Sequence, residues 1–511
     1  MTADEKTNNA DLGRNLATGG KALVISRIIN QFVGLGVVWS QANYLSVWAY
    51  GVFELFIGTI VIINTIGNVG VADIAKRFLP EFSEGNRDDF IAATVRILLI
   101  VRFTMSALIL LFAYFFYDKV GAFFNIEEYR DVFGLFAVGA LFTTETFLMT
   151  YCYSALFKQV RYVIVFTAYN IFRFVAFYFI LRSGGGLAAA IAIDGASHLL
   201  LFLGLYIPFA EEYPFDRTAL GELPRKRMSN YGFFMYLNNL GNILFNTTAD
   251  KYVISAMLDK ASLGYYSFAV RLGYAALQWM PHNLIGSAIE PFIYRGYIRE
   301  NKDEALSEKF AKIITLEAFF MIPTTVFFLT FSSPVIEHIF DSKYLPASGI
   351  LGGLAVVFAV STLRFPLSIV ATAKERVKLL FVAQTVFAIY NLVADILFAK
   401  YIGLWGIVLA TGTASLFLVI ALWIGISRFA VLRVETGSLL RISANAFLMG
   451  VFFWFARDFA NSFMKVIACF LAGGSLYLIL SYFNPPYNRE TLKRIWRFFK
   501  ESRGSKAEKT P

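Results

Sequence analysis

An all-α polytopic membrane fold is what this sequence predicts: about fourteen spanning helices, arranged as two six-helix lobes followed by a C-terminal helix pair. Three observations predict it, namely the composition, a series of apolar segments of spanning length, and a long internal repeat. Hydrophobic residues make up 57% of the chain and charged residues 16%, with a mean hydropathy of +0.60. A soluble domain carries about 25% charge, so this chain falls outside that class. Its 54 phenylalanines, 26 tyrosines and 7 tryptophans suit lipid-facing surfaces and interfacial aromatic belts.

A helix needs roughly 20 mostly apolar residues to cross the hydrocarbon core. Such segments lie at 20–42, 47–72, 91–116, 130–155, 161–182 and 186–208. After a polar loop come 229–256, 263–289, 310–331, 346–372, 378–399 and 403–427, and then 440–457 and 462–482. Cations orient them. With the N-terminus in the cytoplasm, one set of loops collects Lys76, Arg77 and Arg87, then Lys158 and Arg161, then Arg217, Arg225, Lys226 and Arg227. The same set continues with Arg295, Arg299 and Lys302, then Lys374, Arg376 and Lys378, then Arg428 and Arg433. Opposite loops hold only scattered cations such as Lys119, Arg182, Lys343 and Lys400. This bias places both termini in the cytoplasm. The polar start MTADEKTNNADLGRN lacks the pattern of a cleavable signal, so the first span is expected to direct insertion.

The net charge of +10 would suggest nucleic acid in a soluble protein, but here it resides in short loops and a tail, so no nucleic-acid partner is expected. Segment 487–503 alternates Ile495, Trp496, Phe498 and Phe499 with Lys493, Arg494, Arg497 and Lys500. It reads either as an amphipathic helix on the anionic membrane face or as a plain basic tail. Cys152 and Cys469 sit in apolar runs and only three histidines are present, which argues against a metal centre, a cofactor or a disulfide framework. Walker A, GxSxG and HExxH patterns are absent, and no segment places a nucleophile beside a base, so enzyme chemistry is not expected.

The repeat organises the chain. Tyr50-Gly51-Val52-Phe53 corresponds to Tyr265-Tyr266-Ser267-Phe268, and Gly85-Asn86-Arg87-Asp88-Asp89 to Glu300-Asn301-Lys302-Asp303-Glu304, both at an offset of 215. Ser154-Ala155-Leu156-Phe157-Lys158-Gln159 matches Val370-Ala371-Thr372-Ala373-Lys374-Glu375 at 216, and Gly186-Leu187 matches Gly403-Leu404 at 217. Each copy holds six spans, an even number, so the copies share one orientation. A pseudo-twofold axis along the membrane normal, a cleft between lobes and transport by rocking are the resulting expectations. The expected parts are a lobe over 1–227, a second over 228–430, an extra helix pair over 431–485 and a basic tail over 486–511. Two lobes suffice for a pathway, so a monomer is expected.

Ionisable side chains at the bilayer centre cost about 2.5–3.5 kcal/mol and normally face a partner or a wet cavity. Five arginines qualify: Arg27, Arg102, Arg173, Arg271 and Arg364, with the acids Glu145, Asp194, Asp250, Glu317 and Asp395. Arg27 and Gln31 share one face of the first span, and Asn238, Asn242, Asn246 and Asp250 recur at spacing four on the seventh. At the repeat offset Arg27 falls on Asn242 and Gln31 on Asn246, so both lobe-opening helices carry a polar stripe. The stripes either line the cleft or bond neighbouring helices. Arginine suits phosphate, because its planar guanidinium donates two parallel hydrogen bonds and never loses its charge. Arg27, Arg271 and Arg364 are therefore the first candidates for an anionic ligand. Arg102 and Glu317 fall on equivalent repeat positions with opposite charge, and with Asp250 and Asp395 they are candidates for a gate or for ion coupling. Structural pairing of Arg102, Arg173 or Arg364 with Glu145, Asp194 or Asp395 stays equally open, as does an interfacial pair at Asp250-Lys251.

Ala249-Asp250-Lys251-Tyr252-Val253-Ile254, the segment from Leu263 through Leu272, and the turn from Tyr401 to Ala410 resemble polysaccharide flippases of the MOP (multidrug, oligosaccharidyl-lipid, polysaccharide) superfamily. The resemblance covers about 10–430. It implies two six-helix lobes around a cationic cavity that moves undecaprenyl-diphosphate-linked oligosaccharide across the inner membrane, for exopolysaccharide, capsule or lipopolysaccharide assembly. Coupling to a proton or sodium gradient, contact with membrane lipid and polysaccharide assembly proteins as partners are implied too. Two departures stand out. Many such flippases have twelve spans, and the multidrug branch carries an acid in the first helix where this chain has Arg27. The alternative reading is an ion-coupled small-molecule exporter.

Overall fold

The computed structural model describes residues 25–240, 248–283 and 303–486, and among these it is helical with no strand. The chain divides into two compact units, Met1–Ser267 and Phe268–Pro511.

In the first unit α1 (25–44) leads into α2 (Val47–Ile66), whose first turn is capped by Ser46: the hydroxyl accepts from the Ala49 amide at 3.3 Å. α2 stops at Gly67, and Gly70, at φ +79°, turns the chain into α3 (Val71–Glu84). Glycine is required there, since a Cβ on Gly70 would lie 2.1 Å from the Gly232 carbonyl oxygen. The span expected over 47–72 thus ends at Ile66, and the segment after the turn is an amphipathic helix rather than a loop. α3 buries Val71, Ile74, Ala75, Phe78, Leu79 and Phe82 at three- and four-residue spacing. Next come α4 (Asp88–Phe115), α5 (Tyr117–Phe123), a 3-10 turn at Glu127–Tyr129, α6 (Arg130–Ala155), α7 (Gln159–Arg182) and α8 (Leu187–Glu212). The unit is completed by the short α9 (Ala219–Glu222), α10 (Arg225–Leu240), α11 (Thr248–Met257) and the start of α12 (Lys260–Leu277).

Between lipid-embedded helices no water is displaced, so close approach of small residues drives packing. α6 and α8 meet at Gly139 and Gly195, where a Cβ on Gly139 would lie 2.6 Å from the Gly195 Cα. Leu148, Met149, Leu205 and Phe209 fill the same core. Gly139→Leu is expected to force the two helices apart, at a cost of about 1–3 kcal/mol. Gly474→Leu, where a Cβ meets nothing within 4 Å, is the control. Thermal unfolding of the two variants in detergent checks the difference.

The second unit holds α13 (Asp303–Val335), a π turn at Ile336–Phe340 after Pro334, a 3-10 turn at Ser342–Tyr344, α14 (Ala347–Thr362) and α15 (Arg364–Ala373). Its remaining helices are α16 (Val377–Ile402), α17 (Leu404–Ser427), α18 (Thr436–Ala456) and α19 (Phe463–Phe483). Pro366 explains the break between α14 and α15: it has no N–H for the Thr362 carbonyl, so a single apolar span folds as two helices. The last pair packs on α13, with Phe331, Phe453, Val466 and Tyr477 in a common core and the Tyr477 hydroxyl donating to the Phe319 carbonyl at 2.9 Å. The repeat persists in the element order. Shifted by the sequence offset of 215, α4 falls within α13 and the turn at Glu127–Tyr129 falls on Ser342–Tyr344.

Eleven helices among the described residues are long and apolar enough to cross a membrane. They correspond to eleven of the expected spans. The other three, 20–42, 229–256 and 263–289, run beyond the described residues, and α1, α10, α11 and α12 are the parts of them that are described. The tail from 487 onward lies outside the described residues.

Candidate functional site

Helices in a membrane bury charges only with partners, and the partners mark the sites. The first cluster in the opening unit joins α1, α7 and α8. Arg173 donates through Nε to Asp194 Oδ1 at 3.0 Å, and Nη2 reaches the same oxygen. His198, one turn on from Asp194, holds the Asp194 carbonyl oxygen at 2.9 Å through Nδ1 and the Tyr169 hydroxyl at 3.1 Å through Nε2. Nearby in sequence, Asn170 donates to Asn30 at 2.8 Å and Asn30 donates to Thr167 at 2.9 Å, tying α7 to α1. Arg173 is thereby committed to a carboxylate.

A second cluster fastens α11 to α2. The Lys251 ammonium donates to Glu54 Oε2 at 2.8 Å, with the two side chains 11% and 2% exposed. One residue on, the Tyr252 hydroxyl meets Thr59 Oγ1 at 2.7 Å, and one residue before, Asp250 accepts from the Tyr266 hydroxyl. The backbones touch as well: a Cβ on Gly51 would lie 2.7 Å from the Gly264 nitrogen, and one on Gly264 would lie 2.1 Å from the Val47 carbonyl oxygen. The 3-10 turn joins in, with Lys260 donating to Glu128 at 2.6 Å, and Asn125 just before it donates to the Ser255 carbonyl at 3.0 Å. Beside this clasp lies an apolar cavity of about 370 Å³, lined by Leu55, Phe56, Tyr117, Phe124 and Phe133 among others.

At the other end of α2, α10 is held on α3. Arg227 grips both oxygens of Glu81, at 2.7 and 3.0 Å, and Arg77 adds a third bond at 2.8 Å. The hydrogen bond from Arg227, with the nearby positive charges adding to it, holds the Glu81 carboxyl below its ordinary value of 4.5. A depressed carboxylate loses its bond as pH falls through the folded value, so this clasp is fully charged at neutral pH. The Tyr236 hydroxyl also donates to the Ile66 carbonyl at 3.0 Å.

The third cluster is the deepest. Arg102, on α4, is 1% exposed and donates to Asn64, at the C-terminal end of α2, and, at 3.4 Å, to Asn68 in the turn beyond it. Glu145, on α6, is 3% exposed, and neither of its carboxyl oxygens meets a donor.

In the second unit, Glu317 is 1% exposed and takes two bonds from His282, from the backbone amide at 2.8 Å and from Nδ1 at 2.9 Å. Asp395 is fully buried and accepts from Asn391, one turn earlier on α16, at 2.9 Å. Arg102 and Glu317 each have partners inside their own unit. Arg27 and Gln31 lie on α1, with Arg27 exposed and Gln31 half-buried; Arg271 is half-buried on α12, and Arg364 opens α15 with an exposed side chain. Asn238 belongs to α10, but its side chain, Asn242 and Asn246 lie outside the described residues.

Sequence reasoning missed Glu54, Asn64, Asn68, His198, His282 and Asn391. Two signals were available. Glu54 is a lone acid in the second apolar run, and Asn64 and Asn68 repeat at spacing four near its end.

A family model described as "Polysaccharide biosynthesis protein" matches residues 85–349, just over half of the chain. No curated protein matches at a significant level. Among solved structures, the chain is similar to one described as "Lipid II flippase MurJ, inward closed conformation", with a TM-score of 0.68 and 18% identity over 91% of this chain and 98% of that one. It is also similar to an inward-facing multidrug resistance MATE family transporter of the MOP superfamily, with a TM-score of 0.63 and 12% identity over 81% and 94% of the two chains. At these identities the likeness is one of fold. Taken with the family model, the shared fold and the eleven spans identify the chain as a multi-pass membrane protein that belongs to the polysaccharide biosynthesis protein family and has the fold of MOP-superfamily transporters.

Proposed function

We propose that this protein is a flippase that carries an undecaprenyl-diphosphate-linked oligosaccharide across the inner membrane by alternating access, for exopolysaccharide, capsule or lipopolysaccharide assembly. Membership of the polysaccharide biosynthesis family carries the reading, and the arginines refine it. Arg102 is buried and Arg173 half-buried, and both bond to side chains of their own unit; Arg27 and Arg364 are exposed on their helices and Arg271 is half-buried. These three are the cations for a diphosphate, with Gln31, Asn238, Asn242 and Asn246 as polar groups for the sugar. Asp250 and Asp395 are the acids assigned to gating or ion coupling. Both termini lie in the cytoplasm on the charge bias of the loops, so the clasp of α11 on α2 closes the outer side. Cargo is loaded from the cytoplasmic leaflet, and the protein works as a monomer beside the assembly enzymes.

Flipping of a fluorescent undecaprenyl-diphosphate oligosaccharide in proteoliposomes tests the proposal. A charge-assisted bond to phosphate contributes about 1.5–3 kcal/mol, so Arg27→Ala, Arg271→Ala and Arg364→Ala are each expected to slow flipping about tenfold or more, with insertion intact. Wild-type rates in all three, or no movement of such lipids under either ion gradient, overturn it; the latter turns the reading to an ion-coupled exporter of small molecules.

A further inference from the structure

We infer that Glu145 is a proton-binding site, and that Arg102 reports its occupancy to α2 by exchanging partners. The inference concerns the coupling of the transporter proposed above, and its test needs no cargo.

Three observations carry it. Glu145 is a carboxyl 3% exposed in the middle of α6 whose two oxygens both lack a donor. A carboxylate so placed in a low-dielectric interior is strongly disfavoured, and the group relieves the cost by taking up a proton. Its natural counter-charge is within electrostatic reach but engaged elsewhere: the Arg102 guanidinium gives its two terminal nitrogens to Asn64 and Asn68, and its Nε has no acceptor. Finally, the residues that Arg102 holds lie at the end of the helix that carries the clasp and in the turn that follows it. α2 has Asn64 near its C-terminal end, with Asn68 in the turn beyond, and Gly51, Glu54 and Thr59 against α11 and α12 towards the other.

Among the described residues Arg102 is the counter-charge within electrostatic reach of Glu145, and Arg96, also on α4, sits over the Phe215 ring at 4.4 Å. On the helices packed against α6, Asp194 and His198 of α8 are engaged with Arg173 and Tyr169 of α7, and Glu54 of α2 is paired with Lys251. Lys76 of α3 sits over the Tyr151 ring at 4.2 Å, and Asp118 of α5 is bound by Arg130 at the far end of α6. Cys152, two turns along α6, is a buried free thiol.

With a proton on Glu145, the carboxyl is neutral, Arg102 stays on the two asparagines, and α2 is held where the clasp is shut. Loss of that proton leaves a carboxylate that attracts the permanently charged Arg102. The asparagines are then released, and α2 loses that anchor at the end opposite the clasp. One proton enters or leaves per cycle, Arg102 keeps its charge throughout, and acid favours the closed outer side. A proton arriving from outside therefore closes the path behind it, which is the order that an inward proton gradient needs in order to drive outward movement of cargo.

The test uses the full-length protein in nanodiscs. Infrared difference spectra over a pH series report the carbonyl stretch of a protonated carboxyl, and spin labels at Trp48→Cys and Ala261→Cys report the clasp, the two native cysteines being buried. The wild type is expected to lose the carboxyl band as pH rises and to lengthen the label distance over the same range. Glu145→Gln is expected to abolish that band change and to keep the short distance at every pH. Glu145→Asp, the fallback if the glutamine variant does not fold, is expected to move the band and shift the midpoint of the distance change. An unchanged band series in Glu145→Gln, a clasp that still opens with pH in that variant, or a wild-type distance that ignores pH overturns the inference. Because neither readout involves a lipid-linked sugar, a wrong substrate in the proposal above leaves this result standing, and the reverse holds too.

Discussion

Glu54→Ala is expected to destabilise the protein by about 3–5 kcal/mol, the usual cost of leaving one member of a buried ion pair without the other. Lys251 is 8% exposed, and its ammonium reaches Glu54 Oε2 at 2.8 Å. Once the carboxylate is removed, the ammonium stays in the apolar contact between α11 and α2 or drives the helices apart so that water can enter. A drop in thermal stability and new reactivity of a cysteine at Ser255 towards a polar reagent are the two readouts. The double variant Glu54→Ala, Lys251→Met tests the cause, since two buried charges replaced by apolar groups are often neutral or better. Recovery of stability in the double variant is the expected outcome. Equal loss in single and double variants would mean that the packing at Gly51 and Gly264 carries the clasp and the ion pair does not.

Asp194→Asn is the second large effect. It leaves Arg173, whose side chain is 16% exposed, without its carboxylate between α7 and α8, and a loss of similar size, about 3–5 kcal/mol, is expected. The comparison that gives this meaning is Glu212→Gln. Glu212 also pairs with two cations, Lys158 and Arg161, but its side chain is 40% exposed, and exposed pairs contribute about 0–1 kcal/mol. Melting of the two variants side by side in the same detergent separates burial from the mere number of ion pairs. Similar losses would show that the α7–α8 pair is better hydrated than its burial indicates.

These residues also show how far the sequence could be read. Eleven spans were visible as apolar runs because hydropathy is additive along a helix and needs no partner. α3 was not, although Val71, Ile74, Ala75, Phe78, Leu79 and Phe82 have a clear helical period; a search for continuous apolar runs passes over a stripe with Lys76 and Arg77 on its other side. The break at Leu363 was hidden in the same way, since Pro366 leaves the run apolar while removing one backbone donor. Among the site residues, Arg173 with Asp194 is one of several pairings that the sequence leaves open, and it forms because helices joined by a short turn pack together. Glu54 with Lys251 is not among those pairings, because 197 residues separate them and nothing local records which distant helix α2 will face. Arg102 shows a third case. Repeat symmetry directs attention to Glu317, but the structure gives each residue its own neighbours, Asn64 and Asn68 for one and His282 for the other, because duplicated positions diverge in what surrounds them.

The lobe boundary expected from the repeat, near 227, and the unit boundary at Ser267 do not coincide, and this bears on how the protein is made. As the ribosome delivers the first six spans, Glu54 enters the bilayer before Lys251 has been synthesised, so the newborn half carries an uncompensated acid until α10 and α11 emerge. A gene divided at the repeat boundary would therefore encode a first product that cannot complete itself. Its partner fragment would have to supply α10 and α11 in trans, and such a fragment pair is expected to be degraded unless both halves are translated together.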